Sequence, residues 1–541
     1  MRTLWILGLA LPVVAHANVE QCSTETFSAS GLTVTSASWE APEGNVHVEN
    51  CLVRGVLNPY VGQDNRDYAI DFELRLPKDW SQQFAYQFNG GADGVVKPAL
   101  GNLSSFLPKE YAVNRGMAVV STNGGHDPKH HKDMGLASGS GFGFDAKARA
   151  RYGYAAVEEM YPVANRLIEQ FYGAPASYRY GIGPSNGGRM AMVAASRFPN
   201  FFDGLMVGYP GFNLPKAAIQ HAWDVQHLYS LTGDLKTSFS REQLSAVGDY
   251  VVKQCDNLDG LEDGLIFNAS QCQNLVDMND LVCQDSNTCL SQEQADVLIA
   301  MHQGPTNSAG QPLYSDWYFD AGIGSENWRV WKIESPVPAW GYNPIIGAMG
   351  SSALATVFTT PPTPVDGDPK ALIDFLLEFD FDKDAPRIYA ETEHYPESAM
   401  DFMTPPDVAN PTLAGFKAAG GKMIIYHGNS DPVFSVADTI RWYKMLDKNH
   451  NGKANEFVNF YQVPGMPHGN GGPSLDHFDT LSSLVAWVEQ DKKPGRIISS
   501  ALPDKEVSET LQGATRPLCP FPTIAVYNGG DTKDAASFVC R

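Results

Sequence analysis

The sequence has no C-x-x-C pair among its eight cysteines. That absence argues against a zinc site, whose ligands usually come in such pairs. Long apolar runs are missing too. Past the first residues no stretch of roughly 18 consecutive apolar residues occurs, so no membrane span is expected in the mature chain. Positive charge is scarce: Lys and Arg number 39 against 61 Asp and Glu, for a net charge of −22. Nucleic acid and anionic membrane surfaces bind cationic faces, so neither is expected as a partner.

What is present begins with a secretory signal. Arg2 is a positive start, Leu4 to Val14 is an apolar run too short to cross a bilayer, and Ala15-His16-Ala17 is a small-x-small cleavage site. Residues 1–17 are therefore expected to be removed, and the mature protein to be secreted or periplasmic. An even number of cysteines behind such a signal implies disulfides. Many pairings are open. Proximity favours the sequential one: Cys22 with Cys51, Cys255 with Cys272, Cys283 with Cys289, and Cys519 with Cys540. The length left over exceeds what one core ordinarily fills, so two domains are expected.

The stretch Tyr178 to Ser196 reads as a short strand, a tight turn and a helix, with Gly183-Pro184-Ser185-Asn186-Gly187 at its centre. This is a G-x-S-x-G pattern. Fifty glycines will produce such matches by chance, and the bland reading is a Gly-rich turn. The flanking strand and helix favour a nucleophile, a serine pushed out of the sheet by a strained turn. The following helix N-terminus offers free N–H groups to a developing oxyanion.

Strand patterns precede this element at Leu32–Thr35, His47–Val53, Ala69–Leu76, Phe84–Phe88 and Met117–Ser121, and a helix is expected over 145–172. Phe84–Phe88 runs into Asn89-Gly90-Gly91-Ala92-Asp93-Gly94, a loop able to bring backbone N–H groups to a ligand. Strands alternating with helices imply a largely parallel α/β sheet. The rhythm breaks after Gly211 and resumes at Lys422. The interval 212–421 reads as an insertion on the catalytic side, most simply a lid.

Within that interval Asp256, Asp259 and Asp263 crowd one Gly-bearing loop. Three close carboxylates repel one another unless a cation intervenes, and hard oxygen donors suit calcium. The spacing is not that of an EF-hand, and the bland reading is a solvated acidic turn. A Cys255–Cys272 bridge would brace the loop.

Two later strands end in chemistry-bearing turns: Met423–Tyr426 before Asp431, and Phe457–Val463 before His468. Ser185, Asp431 and His468 thus follow the chain order of an α/β-hydrolase triad. His468 would take the Ser185 proton and return it to the leaving alcohol, while Asp431 holds the imidazole tautomer. His427 is expected to support the site, and His126 is the competing base.

The segments Tyr180-Gly-x-x-x-Ser185-Asn-Gly-Gly-Arg189, Tyr426-His-Gly-Asn-Ser-Asp431-Pro-Val-Phe-Ser435 and Val463-Pro-Gly-Met-Pro-His468-Gly-Asn-Gly-Gly472 resemble the tannase and feruloyl esterase family, which also includes hydrolases of terephthalate half-esters. The resemblance covers nearly the whole mature chain. It implies an α/β-hydrolase fold with a large inserted lid domain, the catalytic domain being 18–211 with 422–541. It also implies oxyanion donors at the N–H groups of Gly91 and Asn186, and the sequential disulfides. It further implies a structural calcium held by Asp256, Asp259 and Asp263 with the carbonyls of Leu261 and Leu265. Many family members bridge the triad with a cysteine before the serine and another after the histidine. Pro184 and Gly469 stand there instead, so packing alone must hold Ser185 and His468.

The expected activity is that of a secreted serine carboxylesterase cleaving small aromatic-acid esters, feruloyl or galloyl, through an acyl-enzyme. The stretch Trp340 to Pro364 is aromatic, small and apolar, which suits an aromatic acyl group. No Lys or Arg lies between Lys332 and Lys370, which favours a neutral phenolic acyl group over a terephthalate half-ester, whose carboxylate needs a cation. A non-catalytic polyphenol-binding protein is the alternative from another class.

Overall fold

The computed structural model describes residues 19–283, 288–503, 505 and 507–541. The expected signal, 1–17, lies outside them. Among the described residues one large sheet holds nine strands: β1 (Leu32–Glu40), β2 (Asn50–Val61), β3 (Asp67–Pro77), β4 (Gln83–Gln87), β5 (Ala118–Thr122), β6 (Tyr178–Pro184), β7 (Gly204–Gly208), β8 (Lys422–Gly428) and β9 (Val458–Val463). Their order is β1-β2-β3-β5-β4-β6-β7-β8-β9. The first three pairings are antiparallel; from β5 to β9 all are parallel. Strands β4, β5 and β7 are buried at every position, because helices cover both faces. That is why they read as apolar runs rather than alternations.

The helix expected over 145–172 is present but not uniform. Ala146–Ala150 and Ala156–Tyr172 are α-helical, and Arg151–Ala155 between them is a wider π-type turn. Val157, Met160, Ala164, Leu167 and Phe171 face the sheet core. The strand expected at 47–53 is the start of the longer β2.

Between β7 and β8 the described residues add no strand to the sheet. They build a second, helical core around Val225, Leu228, Val247, Leu298, Leu354 and Leu376. Phe142, Tyr152, Val433 and Phe434 from the flanking segments join that core. All eight cysteines pair sequentially, as proximity favours: Cys22–Cys51, Cys255–Cys272, Cys283–Cys289 and Cys519–Cys540. The acidic loop does not pack within the insertion alone. Leu265 and Phe267 share a small core with Leu511, Cys519, Ala525 and Phe538 of the C-terminal tail.

Candidate active site

Ser185 follows β6 directly and caps the helix Asn186–Arg197. Its backbone sits at φ 60°, ψ −123°, a strained conformation for a residue with a side chain. The two flanking glycines are steric requirements. A Cβ on Gly183 would lie 2.3 Å from the Gly187 carbonyl oxygen, and one on Gly187 would lie 2.3 Å from the Phe88 carbonyl oxygen. The Ser185 N–H donates to the Gly208 carbonyl at 2.9 Å, tying the turn to β7.

The loops after β8 and β9 bring the two partners to that hydroxyl. His468 Nε2 is 2.9 Å from Ser185 Oγ. His468 Nδ1 is 2.9 Å from Asp431 Oδ2 and 3.1 Å from Oδ1. Asp431 Oδ1 also accepts the N–H groups of Val433 at 2.8 Å and Phe434 at 3.1 Å. Burial opposes its charge, but the His468 charge and hydrogen bonds from His427 and His468 outweigh it and hold the carboxyl well below the usual carboxylate range. His427 is fully buried, with Nε2 3.3 Å from Asp431 Oδ2 and 3.0 Å from the Phe434 carbonyl, so it braces the acid from behind.

Aromatic packing takes the place of the missing bridge. Tyr209, Trp331 and Phe434 set their rings edge-on to His468 at centroid distances of 4.7, 5.0 and 5.5 Å. Gly469 has φ +93°, and a Cβ there would lie 2.9 Å from the Tyr209 hydroxyl, so a cysteine would displace one of these rings. His126 is not the base. Its Nε2 bonds the Ala92 carbonyl at 2.8 Å and its ring packs tilted against Phe142, while burial pushes its pKa down to about 4.

Asn186 is the first residue of its helix, where backbone N–H groups have no intrahelical acceptor. Gly90 and Gly91 line the same cavity, and a Cβ on Gly90 would lie 3.5 Å from Ser185 Cβ. Arg189, buried in the same helix, donates to Asn186 Oδ1 at 2.6 Å and to the carbonyls of Tyr152 and Gly153 at 2.9 Å each. Those two carbonyls belong to the π-type turn, whose wider spacing leaves them free for the guanidinium.

The cavity measures about 370 Å³. Leu214, Trp331, Met349, Ala353, Phe358 and Val433 form apolar wall. Of the stretch expected to hold an aromatic group, Met349, Gly350, Ala353 and Phe358 line it, whereas Trp340 does not and Trp331 does. A cation is also present: exposed Lys97, from the loop after β4, lines the cavity. It lies far from 333–369 in sequence, in the segment between β4 and β5.

Sequence reasoning also missed Asp320. This buried insertion residue accepts the Ser430 hydroxyl at 2.6 Å and the Gly465 N–H at 2.8 Å. It thereby joins the two loops that carry Asp431 and His468.

The acidic loop buries its carboxylates. Asp256, Asp259 and Asp263 are all buried. Asp256 Oδ1 has no hydrogen-bond partner. Burial, reinforced by neighbouring carboxylates, pushes the Asp256 pKa up to about 6 and that of Asp259 up to about 7. Asp263 Oδ2 is taken by Arg516 Nε at 3.0 Å, and Asp263 Oδ1 accepts the Leu265 N–H at 3.0 Å. Among the described residues no three His, Cys, Asp or Glu side chains group so as to hold a metal by themselves. A cation here would need backbone carbonyls beside Asp256 and Asp259, and the orphaned Asp256 oxygen fits one.

A family model described as tannase and feruloyl esterase matches residues 51–541. The mono(2-hydroxyethyl) terephthalate hydrolase of Piscinibacter sakaiensis is 34% identical, over 91% of this chain and 85% of its own length. The crystal structure of feruloyl esterase B from Aspergillus oryzae superposes with a TM-score of 0.76 at 21% identity, covering 97% of this chain and 100% of that one. Tannin acyl hydrolase from Aspergillus niger gives 0.69 at 20% identity, covering 97% and 95%. These structures share the α/β-hydrolase fold with the sheet described above. The chain belongs to the tannase and feruloyl esterase family of carboxylic ester hydrolases.

Proposed function

We propose that the protein is a secreted serine esterase that cleaves esters of aromatic acids of the feruloyl or galloyl type. The observation carrying this reading is the continuous hydrogen-bonded line from Asp431 through His468 to Ser185 at the floor of a largely apolar cavity. Ser185 Oγ attacks the ester carbonyl as His468 Nε2 takes its proton. Asp431 stabilises the resulting imidazolium. The carbonyl oxygen, now an oxyanion, is received by the N–H groups of Gly91 and Asn186. His468 then protonates the departing alcohol. A water deprotonated by the same imidazole frees the acid from Ser185. The helical insertion, which supplies Trp331, Met349 and Phe358 to the cavity, acts as the lid that recognises the acyl group.

A second reading, terephthalate half-ester hydrolysis, draws on Lys97 at the cavity wall and on the 34% identity to the Piscinibacter enzyme. Purified protein assayed on methyl ferulate, methyl gallate, mono(2-hydroxyethyl) terephthalate and p-nitrophenyl acetate separates the two. A preference in kcat/KM of about a hundredfold for a phenolic ester, some 2.7 kcal/mol in transition-state binding, is expected. A win for the terephthalate half-ester would reverse the assignment. No hydrolysis of any of the four would leave only a polyphenol-binding role.

Calcium is proposed in the acidic loop, held by Asp256 and Asp259 with the carbonyls of Leu261 and Leu265; Asp263 would join them only by sharing its carboxylate with Arg516. The ion's contribution is structural: it neutralises buried carboxylates where the insertion meets the tail. Chelation is expected to lower the melting temperature by several degrees, since a ligand at about 100 times its Kd stabilises by about 2.7 kcal/mol. Asp259→Ala should lower it similarly and abolish the response to chelator. Identical melting curves with and without chelator would remove the metal.

A further inference from the structure

The helix Leu214–Thr232 leads from the end of the sheet into the insertion. Leu214 and His221 are seven residues apart, two turns on one face, and both line the Ser185 cavity. His221 therefore stands about 10 Å along the helix from Leu214, on the insertion side of the cavity. It is 5% exposed, and neither ring nitrogen has a hydrogen-bond partner. Of the other buried polar side chains of the wall, Asn186 leaves its Nδ2 without a partner while its Oδ1 accepts from Arg189, and the rest are engaged. Tyr209 bonds Ser104 at 2.5 Å, Tyr152 bonds the Gly91 carbonyl at 3.2 Å, and Ser185 bonds His468.

A buried imidazole with two empty nitrogens costs stability unless something fills them. The neighbours do not. Lys332, the nearby cation, is paired with Asp224, whose other oxygen accepts Gln220 Nε2 at 2.6 Å. Space has even been cleared for the ring: a Cβ on Gly350, also in the wall, would lie 2.5 Å from His221 Nδ1. The partner is then a group that enters with the substrate.

Resting on the esterase reading above, we propose that His221 determines acyl specificity by hydrogen-bonding a hydroxyl group on the aromatic ring of the acyl group. A neutral imidazole offers one donor and one acceptor, and a phenol hydroxyl can accept from the one or donate to the other. Burial and the charge of Lys332 push the His221 pKa down to about 3, so the ring is neutral at neutral pH. A ring carboxylate is a poorer match for this imidazole, because it only accepts; the cation it would seek in this cavity is Lys97.

The test compares kcat/KM for methyl p-coumarate with methyl cinnamate, and for methyl 4-hydroxybenzoate with methyl benzoate. Wild type is expected to favour the hydroxylated ester of at least one pair by about tenfold or more. His221→Phe should erase that preference while the unsubstituted ester stays within about threefold. His221→Gln, which keeps a donor and an acceptor, should retain part of it. A preference that survives in His221→Phe overturns the proposal, as does an equal fall on all esters, the mark of a merely structural role. If melting curves show the Phe variant unfolded, His221→Ala takes its place, and a preference that survives there overturns the proposal. Wild type inactive on all four esters and on p-nitrophenyl acetate overturns the esterase reading itself.

Discussion

Ser185→Ala is expected to lower kcat for p-nitrophenyl acetate by about 10⁵–10⁶, because the nucleophile and its base act as a unit. A residual rate above the uncatalysed one should persist, since the backbone donors of Gly91 and Asn186 are untouched. The fold should survive the change. The 60° φ of residue 185 is imposed by the turn between β6 and its helix, not by the hydroxyl, and alanine adopts it at the same cost. Only one hydrogen bond, to His468, is lost, worth about 1 kcal/mol. The discriminating measurement is a paired one, kcat and melting temperature on the same preparation. A cooperative melt near that of wild type together with the loss of rate locates the nucleophile. Retention of more than a tenth of the activity would exclude Ser185 as the nucleophile and require another one.

Much of this site is local in sequence, which is why it can be read there. The glycines at 183 and 187 announce a crowded turn, and each of Ser185, Asp431 and His468 lies just past a strand that is largely buried because both sheet faces are covered. The cysteine pairs also close short loops, so proximity decides them. What is not legible depends on partners far along the chain. Asp320 is one aspartate among many until the fold brings it to Ser430 and Gly465. Arg189 lies in a recognisable helix, but its acceptors are carbonyls of a turn more than thirty residues earlier, freed by a change of helical spacing that no periodicity reveals. Lys97 and His221 reach the cavity from segments more than a hundred residues apart, both outside the apolar stretch 340–364. The acidic loop was placed in the insertion, yet Arg516 of the C-terminal tail shares Asp263.

Asp431→Asn probes the proton path without removing a bulky side chain. The asparagine oxygen can still accept the N–H groups of Val433 and Phe434, which hold the carboxylate now. Its amide nitrogen, however, would face His468 Nδ1, where a carboxylate oxygen stands at 2.9 Å. An amide N–H there demands a lone pair on Nδ1, so the proton moves to Nε2, the atom that must accept the Ser185 hydroxyl proton. The base is then blocked in its ground state, and the imidazolium formed on attack loses its counter-charge. The two effects together are expected to lower kcat by about 10⁴ with KM little changed, because neither touches substrate binding. His427 sharpens the test. Its Nε2 sits 3.3 Å from the same carboxylate oxygen, yet it has the Phe434 carbonyl at 3.0 Å as another acceptor, so it tolerates the amide better than His468 does. The loss should therefore appear in kcat far more than in the melting temperature. A variant with wild-type kcat would mean that His468 keeps its tautomer without Asp431, and that the acid acts only as a brace for the loop after β8.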